Sequence, residues 1–95
     1  MKSKSQSVVN DELVDLVLGE FIAHLRYQKR LTPRSLAKRS KVHYWRIDEI
    51  ENGNGKGITM KEIMKLAPVL EVEVELLYKL AIGGVYVGEP GQVPN

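Results

Sequence analysis

Eight lysine and arginine side chains are concentrated in the middle of the chain, between Phe21 and Ile47, and no aspartate or glutamate lies among them. The eight cations are Arg26, Lys29, Arg30, Arg34, Lys38, Arg39, Lys41 and Arg46. The other six basic residues share the rest of the chain with all 12 acidic residues, so a net charge of +2 conceals a strong separation of charge. A basic segment of this kind predicts a polyanionic partner, such as a nucleic acid.

The end of this segment also carries side chains that can recognise a partner. In a helix over residues 43–52, Ile47 and Ile50 share one face, whereas Trp45, Glu49 and Asn52 point to the opposite side. A tryptophan on the solvent side of an amphipathic helix is typical of an interface, because its large ring anchors contacts between molecules. The alternative is that Trp45 packs on the N-terminal extension or on a second copy of the chain.

Length and composition exclude several classes of protein. A chain of 95 residues with 43% hydrophobic and 27% charged residues predicts a single soluble domain with a modest core. The absence of cysteine excludes disulfides, thiolate zinc sites and thiol catalysis. Two histidines, His24 and His43, are too few for a metal site, and no catalytic set of side chains converges. We therefore expect no enzyme activity, cofactor, metal or small-molecule substrate.

Neither a membrane span nor a signal peptide is predicted. The apolar runs are shorter than a bilayer requires, and Asp11, Glu12 and Asp15 interrupt the apolar residues that follow the N-terminal lysines. The expected location is cytoplasmic and associated with the nucleoid.

Start and stop signals divide the chain into five predicted helices. Residues 1–9 form a flexible tail, residues 10–82 a helical domain whose first helix Asn10 can cap, and residues 83–95 a short C-terminal tail. Thr32 and Pro33 are typical of the start of a helix over about 33–40, and Asn52-Gly53 of the end of a helix over about 43–52. Thr59 to Glu62 is a capping box that begins a fourth helix. The predicted fold class is an all-α, compact five-helix bundle with an N-terminal helical extension.

Three segments leave alternatives open. Gly19 weakens the first helix, so residues 11–18 form either its first turns or a separate turn of helix. Residues 69–75 alternate apolar and acidic residues like a strand, but the flow into Leu76-Leu77 favours a turn and a fifth helix over 73–82. Residues 85–87, Val-Tyr-Val, form either a frayed tail, which we favour, or a short dimerisation strand.

The central segment resembles the helix-turn-helix family of the phage Cro and lambda repressors. The resemblance rests on the spacing of Leu31, Thr32, Leu36, Ala37, Ser40, Val42, Ile47, Ile50, Glu51, Asn52 and Gly53. Downstream apolar residues from Ile63 to Leu77 are similar to the fourth and fifth helices of that family, so the match covers about residues 18–80. It implies a lambda-repressor-like bundle, in most cases a homodimer on palindromic DNA, that regulates transcription in bacteria and phages.

Three positions depart from the family pattern. Pro33 stands where the family commonly has a glutamine that anchors to a phosphate. Lys41 replaces the common turn glycine, so either this lysine accepts a positive φ or the turn differs. Asp48 and Glu49 add negative charge to the helix that would read DNA.

The resemblance places the base-reading positions on Tyr44, Trp45 and Glu49. Aromatic rings can contact a thymine methyl group, and a carboxylate can accept a hydrogen bond from cytosine N4. We expect Arg46 beside them to reach a guanine edge or a phosphate. The resemblance also implies a structural ion pair between Arg26 and Glu51.

Phosphate contacts are expected on both sides of these positions. The N-terminus of the second helix, at Arg34 and Ser35, is expected to offer free backbone N–H groups to an anion. The family positions that grip the DNA backbone fall on His43, Asn52 and Lys56. Lys38 and Lys41 add a positive field, although for each of them a solvated basic face is the simpler interpretation.

These observations predict a sequence-specific DNA-binding regulator, in particular a repressor, with double-stranded DNA and a second copy of the chain as partners. The alternative is a protein-interaction module on the same scaffold, as in an antitoxin or adaptor, with weak or no DNA binding. The acidic residues on the reading helix and the missing glutamine motivate that alternative.

Overall fold

The computed structural model describes residues 11–54 and 56–83, and these residues form five helices without a strand among them. The helices are α1 (Asp11–Gln28), α2 (Pro33–Ser40), α3 (Tyr44–Glu51), α4 (Met60–Leu70) and α5 (Val74–Ala81). The prediction of an all-α, five-helix fold is confirmed. The tail over 1–9, the cap at Asn10 and the strand over 85–87 lie outside the described residues. None of the described helices is both long and apolar enough to cross a membrane.

All five helices contribute to one hydrophobic core. Its fully buried members include Ile22 from α1, Leu36 from α2, Ile47 from α3, Leu66 from α4 and Leu77 from α5. Each helix packs against at least two others, so the stability of every helix depends on tertiary packing.

Helix α1 runs through Gly19 without interruption, so the alternative of a separate turn over 11–18 is wrong. The glycine is required by packing. A Cβ atom built on Gly19 would lie 2.1 Å from the carbonyl oxygen of Ile50. Helices α1 and α3 therefore approach each other so closely that only a residue without a side chain fits between them.

Local sequence signals position the ends of α2 and α4. The Thr32 hydroxyl accepts a hydrogen bond from the Ser35 N–H at 3.0 Å, and Pro33 occupies the first helical position. In α4, the Thr59 hydroxyl and the Glu62 carboxylate satisfy each other's backbone N–H groups in a full capping box. Pro68 lies in the last turn of α4, which ends two residues later at Leu70.

Three charged residues adopt the left-handed backbone conformation that favours glycine. They are Arg30 (φ 59), Lys41 (φ 66) and Glu71 (φ 60), which follow α1, α2 and α4. Each costs about 1 kcal/mol relative to glycine. The sequence left two alternatives open at Lys41, a positive φ or a different turn, and the structure has the positive φ. The alternating segment 69–75 is not a strand: it comprises the end of α4, a turn at residues 71–73 and the first two residues of α5.

A buried ion pair joins α1 to the end of α3. The Arg26 guanidinium donates to both carboxylate oxygens of Glu51 at 2.7 and 2.8 Å and to the Leu31 carbonyl at 2.9 Å. The two side chains are only 7% and 10% exposed. The hydrogen bonds that Arg26 donates to Glu51 raise the pKa of Arg26 above its ordinary value. The pair expected between these residues is therefore present, and it fixes α3 at its C-terminal end.

Candidate nucleic-acid interface

Helix α3 presents an aromatic face to solvent. Trp45 is 58% exposed and Tyr44 is 40% exposed, whereas Ile47 and Ile50 are buried. The short turn at residues 41–43 sets the orientation of this face. At this turn the Ser40 hydroxyl accepts a hydrogen bond from the Val42 N–H at 3.2 Å. The predicted orientation of the helix, with its isoleucines inward and its indole outward, is confirmed.

Neighbouring side chains hold the two exposed rings. The Trp45 indole stacks on the His43 imidazole, with 5.9 Å between ring centroids and 18° between ring planes. The Arg34 guanidinium lies over the Tyr44 ring, 4.4 Å from its centroid. The structure thus brings two residues predicted to contact phosphates, His43 and Arg34, into contact with two predicted to read bases. Packed in this way, the aromatic face has less conformational freedom to lose when it binds.

An open groove of about 500 Å³ lies beside Trp45, between α3 and the start of α4. Its lining brings together residues from three segments: Lys41, Val42, His43, Trp45, Arg46, Lys56, Thr59, Lys61, Glu62 and Lys65. Five of the ten lining residues are cationic and one is acidic, so the groove attracts anions.

Lys61 and Lys65 in this groove were missed by the sequence analysis. The basic segment of the sequence ends at Ile47, whereas both lysines lie later, in α4, on either side of Glu62. Their four-residue spacing puts them on one face of α4, which is the available signal. Only the folded structure shows that this face and Trp45 line the same groove.

The Arg46 side chain is engaged within the protein. Its guanidinium donates to the Glu62 carboxylate at 2.8 and 3.2 Å, to Glu49 at 3.2 Å and to the Lys56 carbonyl at 3.3 Å. The side chain is 15% exposed, and its bond to Glu62 raises its pKa. These bonds tie α3 to the start of α4 and to the connecting loop. A guanine edge or a phosphate would have to displace them, so the predicted contact of Arg46 with DNA stays a prediction.

Two predicted phosphate contacts are also occupied locally. The Ser35 N–H, expected to be free, donates to the Thr32 hydroxyl. The Asn52 amide nitrogen donates to the Asp48 carbonyl at 2.8 Å and to its carboxylate at 3.3 Å. The first bond pairs a backbone N–H at the start of α2, and the second reaches a backbone carbonyl in the last turn of α3. Helices leave such groups without a backbone partner at their ends, and nearby side chains commonly pair them. A phosphate would have to displace these bonds.

The remaining predicted residues lie around the aromatic face. Lys38 is exposed one turn after Arg34 on α2. Glu49 is 45% exposed, and one of its carboxylate oxygens accepts a hydrogen bond from Arg46. Part of its negative charge is therefore compensated before any partner binds. Of the eight cations in the basic segment, Arg26, Lys29 and Arg46 form ion pairs within the described chain, Lys29 with Glu71.

The Glu62 carboxylate has a structural role at the edge of the groove. Burial raises its pKa, but hydrogen bonds from Arg46 and from the Thr59 N–H outweigh burial and hold the pKa below its ordinary value of 4.5. The ionised form therefore stabilises the fold at neutral pH. This contribution is lost as the pH falls from about 5 through the lowered folded-state pKa.

We expect Glu62→Gln to lower the free energy of unfolding by about 2 kcal/mol near pH 7, because the amide cannot replace a charge-assisted bond to Arg46. The difference in the free energy of unfolding between the variant and the parent protein should become smaller at lower pH, because the parent protein then loses the charge of the Glu62 carboxylate. Urea denaturation at several pH values measures both effects. Glu73→Gln is the control, since the Glu73 side chain makes no cap bond at the start of α5. An equal loss in both variants, or a gap that persists in acid, would contradict the prediction.

No protein-family model matches this chain, and no curated protein matches it. The resemblance of residues 31–53 to the Cro and lambda repressor family therefore stays a prediction from the sequence. The described structure establishes a five-helix, all-α protein with an aromatic and cationic surface on α3 and its neighbours.

Proposed function

We propose that the protein is a sequence-specific DNA-binding regulator of transcription, acting as a repressor, that inserts α3 into the major groove. The observation that carries this proposal is the exposed Tyr44 and Trp45 face of α3, with cations of α2 on one side and the lysine-lined groove on the other. A major groove about 12 Å wide admits one helix while the strands on its two sides meet flanking residues. Cations placed on both sides of an exposed helix fit that geometry.

The side chains divide into two roles. Tyr44 and Trp45 offer apolar surface to thymine methyl groups, and Glu49 offers a carboxylate to cytosine N4. A carboxylate near phosphates lowers general affinity, so Glu49 contributes sequence choice more than binding strength. Exposed cations such as Lys38 and Lys56 supply the general attraction to the duplex. A homodimer in the cytoplasm, bound to a palindrome in the nucleoid, is part of this proposal.

Selection of bound duplexes from a random pool tests the proposal directly. The expected result is a palindromic consensus with half-sites about one helical turn apart. Trp45 is the only tryptophan of the chain, so its fluorescence reports binding to each selected duplex without a label on the protein. A pool that shows no enrichment, with equal affinity for selected and random duplexes, would contradict sequence-specific recognition.

We expect Trp45→Ala to reduce the ratio of specific to non-specific affinity by about tenfold, because one base contact contributes about 1–3 kcal/mol of discrimination. The fold should survive, since the indole is mostly exposed. Anisotropy of labelled specific and random duplexes measures the ratio, and urea denaturation measures stability. Tyr78→Ala is the control, because Tyr78 is an aromatic residue of α5 that is 44% exposed. An unchanged ratio in Trp45→Ala would remove Trp45 from the reading surface.

A second candidate function is a protein-interaction module, as in an antitoxin or adaptor. The exposed carboxylates of Asp48 and Glu49 beside Trp45 favour it, because an amphipathic patch of this kind also suits a polypeptide. A stoichiometric complex with a single protein, combined with no binding to any duplex at low salt, would support this function over the first.

A further inference from the structure

We propose that one sugar–phosphate strand of the bound duplex runs through the groove between α3 and α4, where Lys61 and Lys65 contact its phosphates. This inference rests on the proposed function and adds two binding residues to it, together with the path of a strand. The groove lies directly beside Trp45, so a duplex read by the indole has one of its strands at the groove mouth.

The charge of the groove supports this occupant. Lys41, Lys56, Lys61 and Lys65 come from the turn before α3, the loop after it and α4, and all four line the same space. The single carboxylate among the lining residues, Glu62, is hydrogen-bonded to Arg46. These two opposite charges cancel, which leaves a net charge of +4 facing the groove. Phosphates at regular spacing along a strand match cations distributed along a groove better than a single small anion does.

The shape of the groove supports a strand as well. The Lys65 ammonium donates to the Lys41 carbonyl at 3.5 Å, which places its positive charge at the groove and leaves two of its three N–H donors for a phosphate. The stacked rings of His43 and Trp45 form an aromatic wall on the α3 side. Deoxyribose rings present apolar edges between phosphates, and a groove lined by aromatic rings and lysines suits both parts of the strand.

Lys41 also lines the groove, from the turn before α3. Its φ of 66 is the left-handed cap that ends α2, as Glu71 ends α4. Of these two capping residues, only Lys41 has a side chain in the groove. We infer that the Lys41 ammonium contacts the bound strand.

Single substitutions of the two lysines in α4 test the path. Binding of a labelled selected duplex by Lys61→Ala and Lys65→Ala is measured by anisotropy over a series of salt concentrations. Each variant should weaken binding about eightfold at about 0.1 M salt and lower the slope of log K against log salt by about 0.9, as expected for one lost phosphate contact. Lys79→Ala removes the same charge from α5, away from the groove, and should leave the slope unchanged.

The outcomes separate this inference from the proposed function. If the parent protein binds duplexes but Lys61→Ala and Lys65→Ala behave like Lys79→Ala, the path of the strand is wrong and the proposed function stands. If the parent protein binds no duplex at low salt, the proposed function is wrong, and the path of the strand is wrong with it. Binding of poly-L-glutamate in place of duplex would assign the groove to an acidic polypeptide and overturn both.

Lys41→Gly separates binding from stability. Relief of the left-handed strain should raise the Tm by about 4 °C, while loss of the ammonium weakens duplex binding about eightfold at about 0.1 M salt. Glu71→Gly is the matched control, because Glu71 has a φ of 60 but is not among the residues that line the groove. Its gain in thermal stability should be smaller, because it also loses the exposed ion pair with Lys29, and its duplex binding should not weaken. If Lys41→Gly binds duplex as tightly as the parent protein, Lys41 is not a contact.

Discussion

Replacement of Arg26 by methionine is expected to lower the free energy of unfolding by about 3–5 kcal/mol, a large part of the stability of a domain of this size. The substitution keeps much of the side-chain volume but leaves the Glu51 carboxylate, 10% exposed, without its bidentate partner. It also removes the donor to the Leu31 carbonyl at the end of α1. Urea denaturation of the parent and variant proteins measures the loss, provided that both transitions are two-state.

A double-mutant cycle shows whether the loss comes from the stranded charge. Glu51→Leu alone should also destabilise strongly, since it leaves the Arg26 guanidinium buried without a counter-ion. The double variant Arg26→Met with Glu51→Leu should be much more stable than the sum of the single effects predicts, because no charge remains buried. Additive losses would mean that the two side chains act separately and would contradict this account.

This ion pair also limits what a loss of DNA binding can prove. Arg26 and Glu51 lie behind α3 and hold its C-terminal end against α1. A variant of either residue would lose the proposed DNA-reading surface through unfolding, so its failure to bind DNA would say nothing about contacts. Trp45, Lys61 and Lys65 are more informative, because each is exposed and its removal leaves the core intact.

The positions of the helices were predictable because their signals are local. The Thr32 cap, the capping box from Thr59 to Glu62 and the inward phase of Ile47 each depend on residues within one or two turns. Periodicity and capping chemistry act over the same distances, so a sequence contains them in full. For the same reason, the outward orientation of Trp45 could be inferred without coordinates.

The parts of the site that depend on packing between helices were not predictable. The sequence does not indicate the partner of Arg46, because Glu62 lies 16 residues later and meets it only where α2 brings α3 and the start of α4 together. For the same reason, the sequence does not indicate that Lys61 and Lys65 belong to a cationic surface. They flank Glu62 along the chain and meet the other groove lysines only in the folded structure. Patterns within a helix show which face is polar, but not which other helix that face adjoins.

Gly19 shows how packing can reverse a local signal. Helix propensity favours alanine over glycine by about 1 kcal/mol in the interior of a helix, which predicts that Gly19→Ala stabilises the protein. The structure predicts the opposite, because the new Cβ would lie 2.1 Å from the Ile50 carbonyl oxygen and 3.0 Å from that of Glu51. Both contacts are with backbone atoms, so α1 and α3 must move apart. We expect a loss of about 3 kcal/mol.

The sign of the change in the free energy of unfolding for Gly19→Ala therefore decides between the two arguments. Glu20→Ala, at the neighbouring exposed position of α1, is the control and should change the free energy by less than about 0.5 kcal/mol. If Gly19→Ala is as stable as the parent protein, α1 and α3 do not approach as closely as described, and the position of α3 beside Lys61 and Lys65 is then in question as well. If it is strongly destabilised, the close approach that fixes α3 on the bundle is supported by a measurement that requires no DNA.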